Sequence, residues 1–148
     1  MSTVAKMAKY AAPLILSFAM VAANAAPLQG DLVNKGHAHE ALFGVNASAD
    51  GLIAVGGAGQ ISSSKDGVTW QRINVDLAGR SLLAVSDVGG NAIAVGQQGV
   101  IVLRNADTWQ EQESPTTERL FSVAQDGAGF VIAAGGFGTV LRSVDSGK

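Results

Sequence analysis

The sequence predicts an all-β protein made of short antiparallel strands, and three observations lead to this fold class. Apolar runs of about four to six residues, rich in Val, Ile and Leu, are separated by Gly, Asn, Asp and Ser. After residue 41, no stretch keeps the apolar period of a helix for long enough to form one. One pattern of apolar residues and glycines occurs three times, roughly 40 residues apart. These features favour a repeat of hairpin-linked strands.

The first 25 residues are typical of a secretory signal peptide. Lys6 and Lys9 precede an apolar stretch over residues 11–22, and Ala25 ends a small-x-small cleavage motif. The alternative is a membrane anchor, but about a dozen apolar residues fall short of the ~20 needed to span a bilayer. We expect cleavage after Ala25, export to the periplasm or the extracellular space, and no transmembrane span in the mature chain.

Composition excludes several classes of function. The chain has 148 residues, 19 Gly, no Cys and a net charge of −2. The lack of cysteine excludes disulfides and cysteine-ligated zinc, and the charge gives no electrostatic footprint for nucleic acid. A hydrophobic content of 47% argues against disorder.

Residues 41–80 form the first repeat unit, with strands expected near 42–47, 52–56, 59–63 and 69–74. Asp-Gly and Gly-Gly pairs lie between them and suit tight hairpins. Four antiparallel strands in ~40 residues make one blade of a β-propeller. Residues 81–118 give blade 2, residues 119–148 give a truncated blade 3, and residues 26–40 are a lead-in segment.

Six glycines have fixed places in this repeat. One set ends the second strand of each unit and the other starts the third, so both are expected to serve backbone conformation or close approach. The two sets are Gly56, Gly96 and Gly135, and Gly59, Gly99 and Gly138. A phosphate loop is disfavoured because no helix pattern follows them.

One turn resembles the Asp-box, whose consensus is Ser-x-Asp-x-Gly-x-Thr-Trp. Its short Asp can accept backbone N–H groups, its Gly permits a left-handed residue, and its Trp supplies an apolar face. We therefore interpret it as structural and not catalytic. The matching residues are Ser64, Asp66, Gly67, Thr69 and Trp70 in unit 1, Trp109 in unit 2, and Ser143, Asp145 and Gly147 in unit 3.

Residues 41–148 as a whole resemble the photosystem II assembly/stability factor-like propellers. The resemblance rests on Leu42–Val45, Ala54–Gly56, Gly59–Ile61 and Asp66–Trp70. It implies a seven-bladed, non-enzymatic scaffold that binds a protein partner or a membrane-protein assembly intermediate, without a cofactor. It also implies a location like the thylakoid lumen if the source is photosynthetic. Alternatives are a glycan-active (sialidase-like) or glycan-binding Asp-box propeller, and a periplasmic envelope or transport accessory protein.

Catalysis of the sialidase type is not expected. That chemistry needs a Tyr nucleophile assisted by a Glu, and the single Tyr of the chain, Tyr10, lies in the predicted signal peptide. His37 and His39 are candidate metal ligands, since both would face the same way in an extended strand. No third ligand is identifiable nearby, so a polar lead-in to the first strand is the favoured interpretation and we expect no metal site.

Arg80 and Arg119 both stand just before the first strand of a unit. If they project from one face of the propeller, they form a basic patch for a protein partner or an acidic ligand. Ordinary solvated loop arginines are the alternative interpretation.

The repeat accounts for about 2.75 blades, whereas closed propellers have about four to eight. We therefore expect the chain to be the N-terminal part of a longer protein, of roughly 300 residues if seven-bladed at ~40 residues per blade.

Overall fold

The computed structural model describes residues 30–148, and the predicted signal peptide with its cleavage site lies outside them. Within this range, antiparallel strands form two four-stranded sheets and one three-stranded sheet, each in chain order. The predicted all-β architecture is confirmed. All these strands belong to the unit Leu32–Lys148.

Blades 1 and 2 each contain four strands, and blade 3 contains three. Blade 1 consists of β1 (Leu42–Ser48), β2 (Gly51–Gly56), β3 (Gln60–Ser64) and β4 (Gln71–Asn74). Blade 2 consists of β5 (Leu82–Val88), β6 (Asn91–Gly96), β7 (Ile101–Asn105) and β8 (Thr108–Gln112). Blade 3 consists of β9 (Leu120–Gln125), β10 (Val131–Gly135) and β11 (Val140–Ser143).

The predicted strands of the first unit match the structure to within one residue at each end, except at the start of the fourth. We expected this strand to begin at residue 69, but β4 begins at Gln71. The reason is that the Thr69 amide and the Trp70 indole are engaged by the preceding turn, through bonds to Asp66 and to the Gly67 carbonyl.

A three-residue 3₁₀ turn joins the second and third strands of every blade: Gly57–Gly59, Gln97–Gly99 and Gly136–Gly138. The last glycine of each turn has a positive φ, between 72° and 74°. We expected these glycines to start the third strands, but those strands begin one or two residues later because the turn must finish first.

The glycines that end the second strands serve close approach. Gly56 has a φ of −163°, which any residue adopts, but a Cβ there would collide with the Ala41 carbonyl oxygen. The next amide, of Gly57, donates to that same carbonyl at 2.9 Å. Gly96 and Gly135 are crowded in the same way by the residue before the first strand of their own blade.

Two hydrophobic clusters lie between neighbouring blades. Ile53, Val55 and Ile61 project from blade 1 onto Leu82 and Val102 of blade 2. The other face of blade 2 packs on blade 3 through a second cluster, which contains Ile93, Val95, Leu120, Val131 and Ala133. Blade 2 thus packs one apolar face on blade 1 and the other on blade 3.

Candidate protein-binding surface

The Asp-box-like segment of blade 1 forms a turn held by its own side chains. The carboxylate of Asp66 accepts the backbone N–H groups of Val68 and Thr69 at 2.8 and 2.7 Å. These bonds, that of Thr69 first, lower the pKa of Asp66 from its usual 3.8 to about 2. Ser64 Oγ donates to the same carboxylate and accepts the Gly67 amide at 2.9 Å. Every hydrogen bond that the Asp66 carboxylate makes therefore lies within the turn.

The equivalent segments of the other blades differ from each other. In blade 3, Ser143 Oγ donates to the Asp145 carboxylate and accepts the Gly147 amide at 2.8 Å. This turn is one residue longer than that of blade 1, and among the described residues no backbone amide donates to the Asp145 carboxylate. In blade 2, a tighter hairpin joins β7 to β8, and Trp109 packs on the cluster between blades 1 and 2. Arg104 lies over its ring, 6.0 Å from the centroid.

The interpretation of His37 and His39 as metal ligands assumed an extended strand, and the structure shows a turn instead. Residues 38 and 39 form a turn closed by a bond from the Glu40 amide to the His37 carbonyl, and His39 has a φ of 76°. Glu40 accepts the His37 amide and pairs with Arg72. These partners, the His37 amide first, lower the pKa of Glu40 to about 2. In residues 30–148, no group of three metal-ligating side chains is assembled.

Arg80 and Arg119 are not equivalent positions of the repeat. Arg80 stands two residues before the first strand of its blade, whereas Arg119 stands one residue before. The Arg80 guanidinium is already engaged, since it binds the Glu111 carboxylate of β8 at 2.9 and 3.0 Å and the Leu77 carbonyl at 2.7 Å. Arg119 is exposed, and within the described residues its guanidinium makes no ion pair. The predicted basic patch for a protein partner or an acidic ligand therefore stays a prediction, and only for Arg119.

Arg119 borders a shallow depression of about 510 Å³ between the 3₁₀ turns of blades 2 and 3. We call this the turn-end surface. It is lined by Gln97, Gln98, Thr117, Glu118, Arg119, Phe121, Gly136 and Phe137. Two of these residues are exposed aromatics: Phe121 is 54% accessible and Phe137 is 98% accessible.

Phe137 is unusual in both conformation and exposure. Its φ is 51°, in the left-handed region that bulky residues seldom adopt. Ala58 and Gln98, at the same point of the other two turns, have φ values of 50° and 54°. The turn therefore dictates the backbone, while the large apolar side chain contributes nothing to the core. Arg and aromatic side chains together are typical of the energetic centre of protein interfaces.

Sequence analysis did not single out Phe137 or a partly buried polar link between blades 1 and 2. In that link, Asp87 accepts a bond from Ser48 at 2.9 Å and pairs with Arg104 at 3.2 Å. The signal for Phe137 was present in the repeat alignment, where Phe replaces Ala and Gln at one turn position. The sequence carries no such signal for Asp87, because one of its partners, Ser48, lies in blade 1 and the other, Arg104, in blade 2.

No helix within residues 30–148 is long and apolar enough to cross a membrane. No protein-family model matches the sequence. No curated protein matches it either.

Among solved structures, the chain is similar to one described as "YCF48 bound to D1 peptide", with a TM-score of 0.64 and 18% sequence identity. The match covers 74% of this chain and 39% of the other, so this chain spans about two fifths of its length. At this identity the likeness concerns the fold. The fold is that of a β-propeller, represented here by two complete four-stranded blades and a three-stranded third.

Proposed function

We propose that this chain is an exported, non-enzymatic propeller scaffold that binds a peptide segment of a protein partner at the turn-end surface. The observation that carries the proposal is Phe137, a fully exposed aromatic side chain in a strained turn beside Arg119 and Phe121. Because Ala58 and Gln98 share its left-handed φ, what distinguishes Phe137 is the exposure of its large apolar side chain and not the strain of its backbone. The fold likeness to a propeller with a bound peptide supports this type of ligand.

The finer proposal is a role in assembling a membrane-protein complex, as in the photosystem II assembly factor-like proteins that residues 41–148 resemble. It needs no cofactor. It also implies export, so N-terminal sequencing of the protein recovered from its natural compartment should find Ala26 as the first residue.

The test uses a fluorescein-labelled D1 peptide and the full chain, with binding followed by anisotropy. Phe137→Asn should weaken binding by about 30-fold, the effect of losing an interface hot spot. Asn tolerates a left-handed φ, so the fold should be kept or slightly stabilised. Ala58→Asn, at the equivalent turn of blade 1 and outside the surface, is the matched control.

Equal binding by the wild type, Phe137→Asn and Ala58→Asn would contradict the assignment of the surface. A wild-type chain that does not bind the D1 peptide would refute the photosystem-type role.

A further inference from the structure

The interface between blades 1 and 2 changes from apolar to polar along its strands. Near the 3₁₀ turns, Val55 and Ile61 of blade 1 are buried in the cluster shared with blade 2. At the other end of these strands, a cleft of about 350 Å³ lies between the two blades, and both of its walls belong to the described residues. We call it the inter-blade cleft, and its polar lining includes Asp50, Ser63, Gln71, Asp87, Arg104 and Asp107.

Ser63 gives the wall of blade 1 a polar side chain where the repeat elsewhere has an apolar one. It follows Ile61 by two residues on β3, so its side chain lies on the face toward blade 2. Across the sheet it pairs with Gln71 of β4. The equivalent residue of blade 2 is Leu103, which packs on the cluster between blades 2 and 3. The fold therefore accepts an apolar residue at this position, and the polar wall is particular to this pair of blades.

The wall of blade 2 holds a guanidinium in a fixed position. Arg104 Nε and Nη2 donate to the Gly90 carbonyl at 2.9 and 2.8 Å, and Nη2 also pairs with the Asp87 carboxylate at 3.2 Å. Within residues 30–148, Arg104 Nη1 makes no hydrogen bond, and the side chain is 20% accessible. Because Arg104 lines the cleft, its Nη1 hydrogens are oriented donors for a ligand there.

Three other side chains of the cleft also have hydrogen-bonding capacity to spare. Among the described residues, none of the side chains of Ser63, Gln71 and Asp107 forms a hydrogen bond. A hydroxyl and a carboxamide can each donate and accept, whereas a carboxylate only accepts. Together with Arg104, they present both donors and acceptors to one space.

The charges around the cleft disfavour a small ion as its ligand. An anion would meet the exposed carboxylates of Asp50 and Asp107, and a cation would meet the Arg104 guanidinium and Lys65. Asp66, on the same rim, already accepts two amides of its own turn. A neutral molecule with several hydroxyl groups avoids both repulsions, and each of its hydroxyls can donate and accept.

We propose that the inter-blade cleft binds a neutral polyhydroxylated ligand of about one or two sugar units, which suits a cleft at the small end of ligand sites. Its hydroxyls donate to the Asp107 carboxylate and accept from Arg104 Nη1, while Ser63 and Gln71 do both. A free sugar and the end of a glycan chain share this chemistry. The cleft and the turn-end surface lie at opposite ends of the strands, so the two sites can fail independently.

The experiment titrates the isotope-labelled full chain with neutral sugars and follows its NMR signals. The probes are glucose, galactose, mannose and N-acetylglucosamine, each as the monosaccharide and as a linear oligosaccharide. At least one probe should shift the side-chain signals of Gln71 and Arg104, with a dissociation constant on the order of 1 mM. Tighter binding of the oligosaccharide would support the end of a glycan chain, and equal binding would support a free sugar.

The decisive variant is Gln71→Leu, which should weaken binding of that probe by about tenfold because the hydrogen bonds of the amide are lost. The matched control is Gln110→Leu at the equivalent position of β8, opposite Leu103 and outside the cleft, and it should bind like the wild type. Ser63→Leu, which copies the residue of blade 2, should fill the cleft and abolish binding. Thermal unfolding of each variant shows that the fold is kept.

Three results would overturn the proposal. The first is the absence of any shift with every probe at about 10 mM, tenfold above a millimolar dissociation constant. The second is equal weakening by Gln71→Leu and Gln110→Leu, which would place the sugar elsewhere. The third is a shift of the Gln71 and Arg104 signals by methylammonium or acetate but by none of the sugars, which would make the cleft an ion site.

Discussion

Blades 2 and 3 share their sequence landmarks but have different surroundings. Within residues 30–148, blade 2 has a neighbour on each face and a fourth strand at its outer edge, whereas blade 3 is covered on one face only. Ile93 of blade 2 is 3% accessible, while its counterpart in blade 3, Ile132, is 39% accessible. Val140, the counterpart of Ile61 and Ile101, is 63% accessible. Side chains at equivalent positions of the repeat therefore lie in the core or on the surface according to whether a neighbouring blade covers them.

The largest expected difference between the two blades comes from truncating these isoleucines. Ile93→Ala should lower the free energy of unfolding by about 2–5 kcal/mol, because it leaves a cavity between blades 2 and 3. Ile132→Ala should cost less than about 1 kcal/mol, since water already reaches the side chain. Urea denaturation of both variants at equal protein concentration measures the difference. Equal losses would mean that the outer face of blade 3 is covered in solution.

A smaller difference is expected at the last glycine of the 3₁₀ turns. Gly99 and Gly138 have nearly the same φ, 72° and 74°. A Cβ on Gly99 would collide with the Thr116 carbonyl oxygen, which follows the fourth strand of blade 2, whereas a Cβ on Gly138 meets no atom within 4 Å.

Gly138→Ala should therefore cost only the left-handed backbone penalty of about 1–2 kcal/mol. Gly99→Ala should cost more, because the backbone must also move. Thermal unfolding of the two variants separates these contributions. If Gly138→Ala is as damaging as Gly99→Ala, a segment must pass close to Gly138 in solution.

The ion pair between Arg80 and Glu111 offers a third comparison of the two blades, because Glu118 is the residue two positions before the first strand of blade 3, as Arg80 is in blade 2. Arg80→Gln removes the pair with Glu111 from blade 2, and a double-mutant cycle with Glu111→Gln should give a coupling of about 0.2–1 kcal/mol. Glu118→Gln in blade 3 removes no ion pair and should change stability by less than about 0.5 kcal/mol. A larger loss for Glu118→Gln would show that Glu118 has a partner in solution.

The repeat made most of the fold predictable from the sequence. The glycine landmarks recur at one period, so a single assignment of strands to residues 41–80 carried over to the other units. The two roles of the glycines could not be separated in advance, because the carbonyl oxygens that crowd Gly56 and Gly96 belong to residues about 15 positions earlier. Periodicity shows where a glycine recurs but not which atom approaches it.

The candidate surfaces were less predictable for a related reason. Arg80 and Arg119 look alike in sequence, but a one-residue offset gives one a partner on β8 and leaves the other exposed. His37 and His39 have the spacing of a strand, yet a positive φ at His39 forms a turn. Such outcomes depend on register and on local backbone, which residue types alone do not specify.

The smallest expected effect is the response to acid, and it distinguishes blade 1 from blade 2. Asp66 of blade 1, and Glu40, which precedes blade 1 and pairs with its Arg72, have pKa values of about 2 in the folded chain, below their usual 3.8 and 4.5. A lowered pKa in the folded state stabilises it above the unfolded pKa, and this contribution is lost as the pH falls from about 4 towards 2. Both carboxylates are exposed, so solvent screens the effect and the loss should be small.

Amide hydrogen exchange between pH 5 and pH 2 shows which part of the chain loses stability in acid. Once the intrinsic pH dependence of exchange is removed, protection of the Val68 and Thr69 amides should fall as Asp66 is protonated, because both amides donate to its carboxylate. The hairpin of blade 2, which has no Asp in register, should keep its protection. Asp66→Asn should remove the pH dependence at Val68 and Thr69, whereas Asp76→Asn should preserve it. Equal loss in both blades would show that acid weakens the packing between blades and not the Asp66 turn.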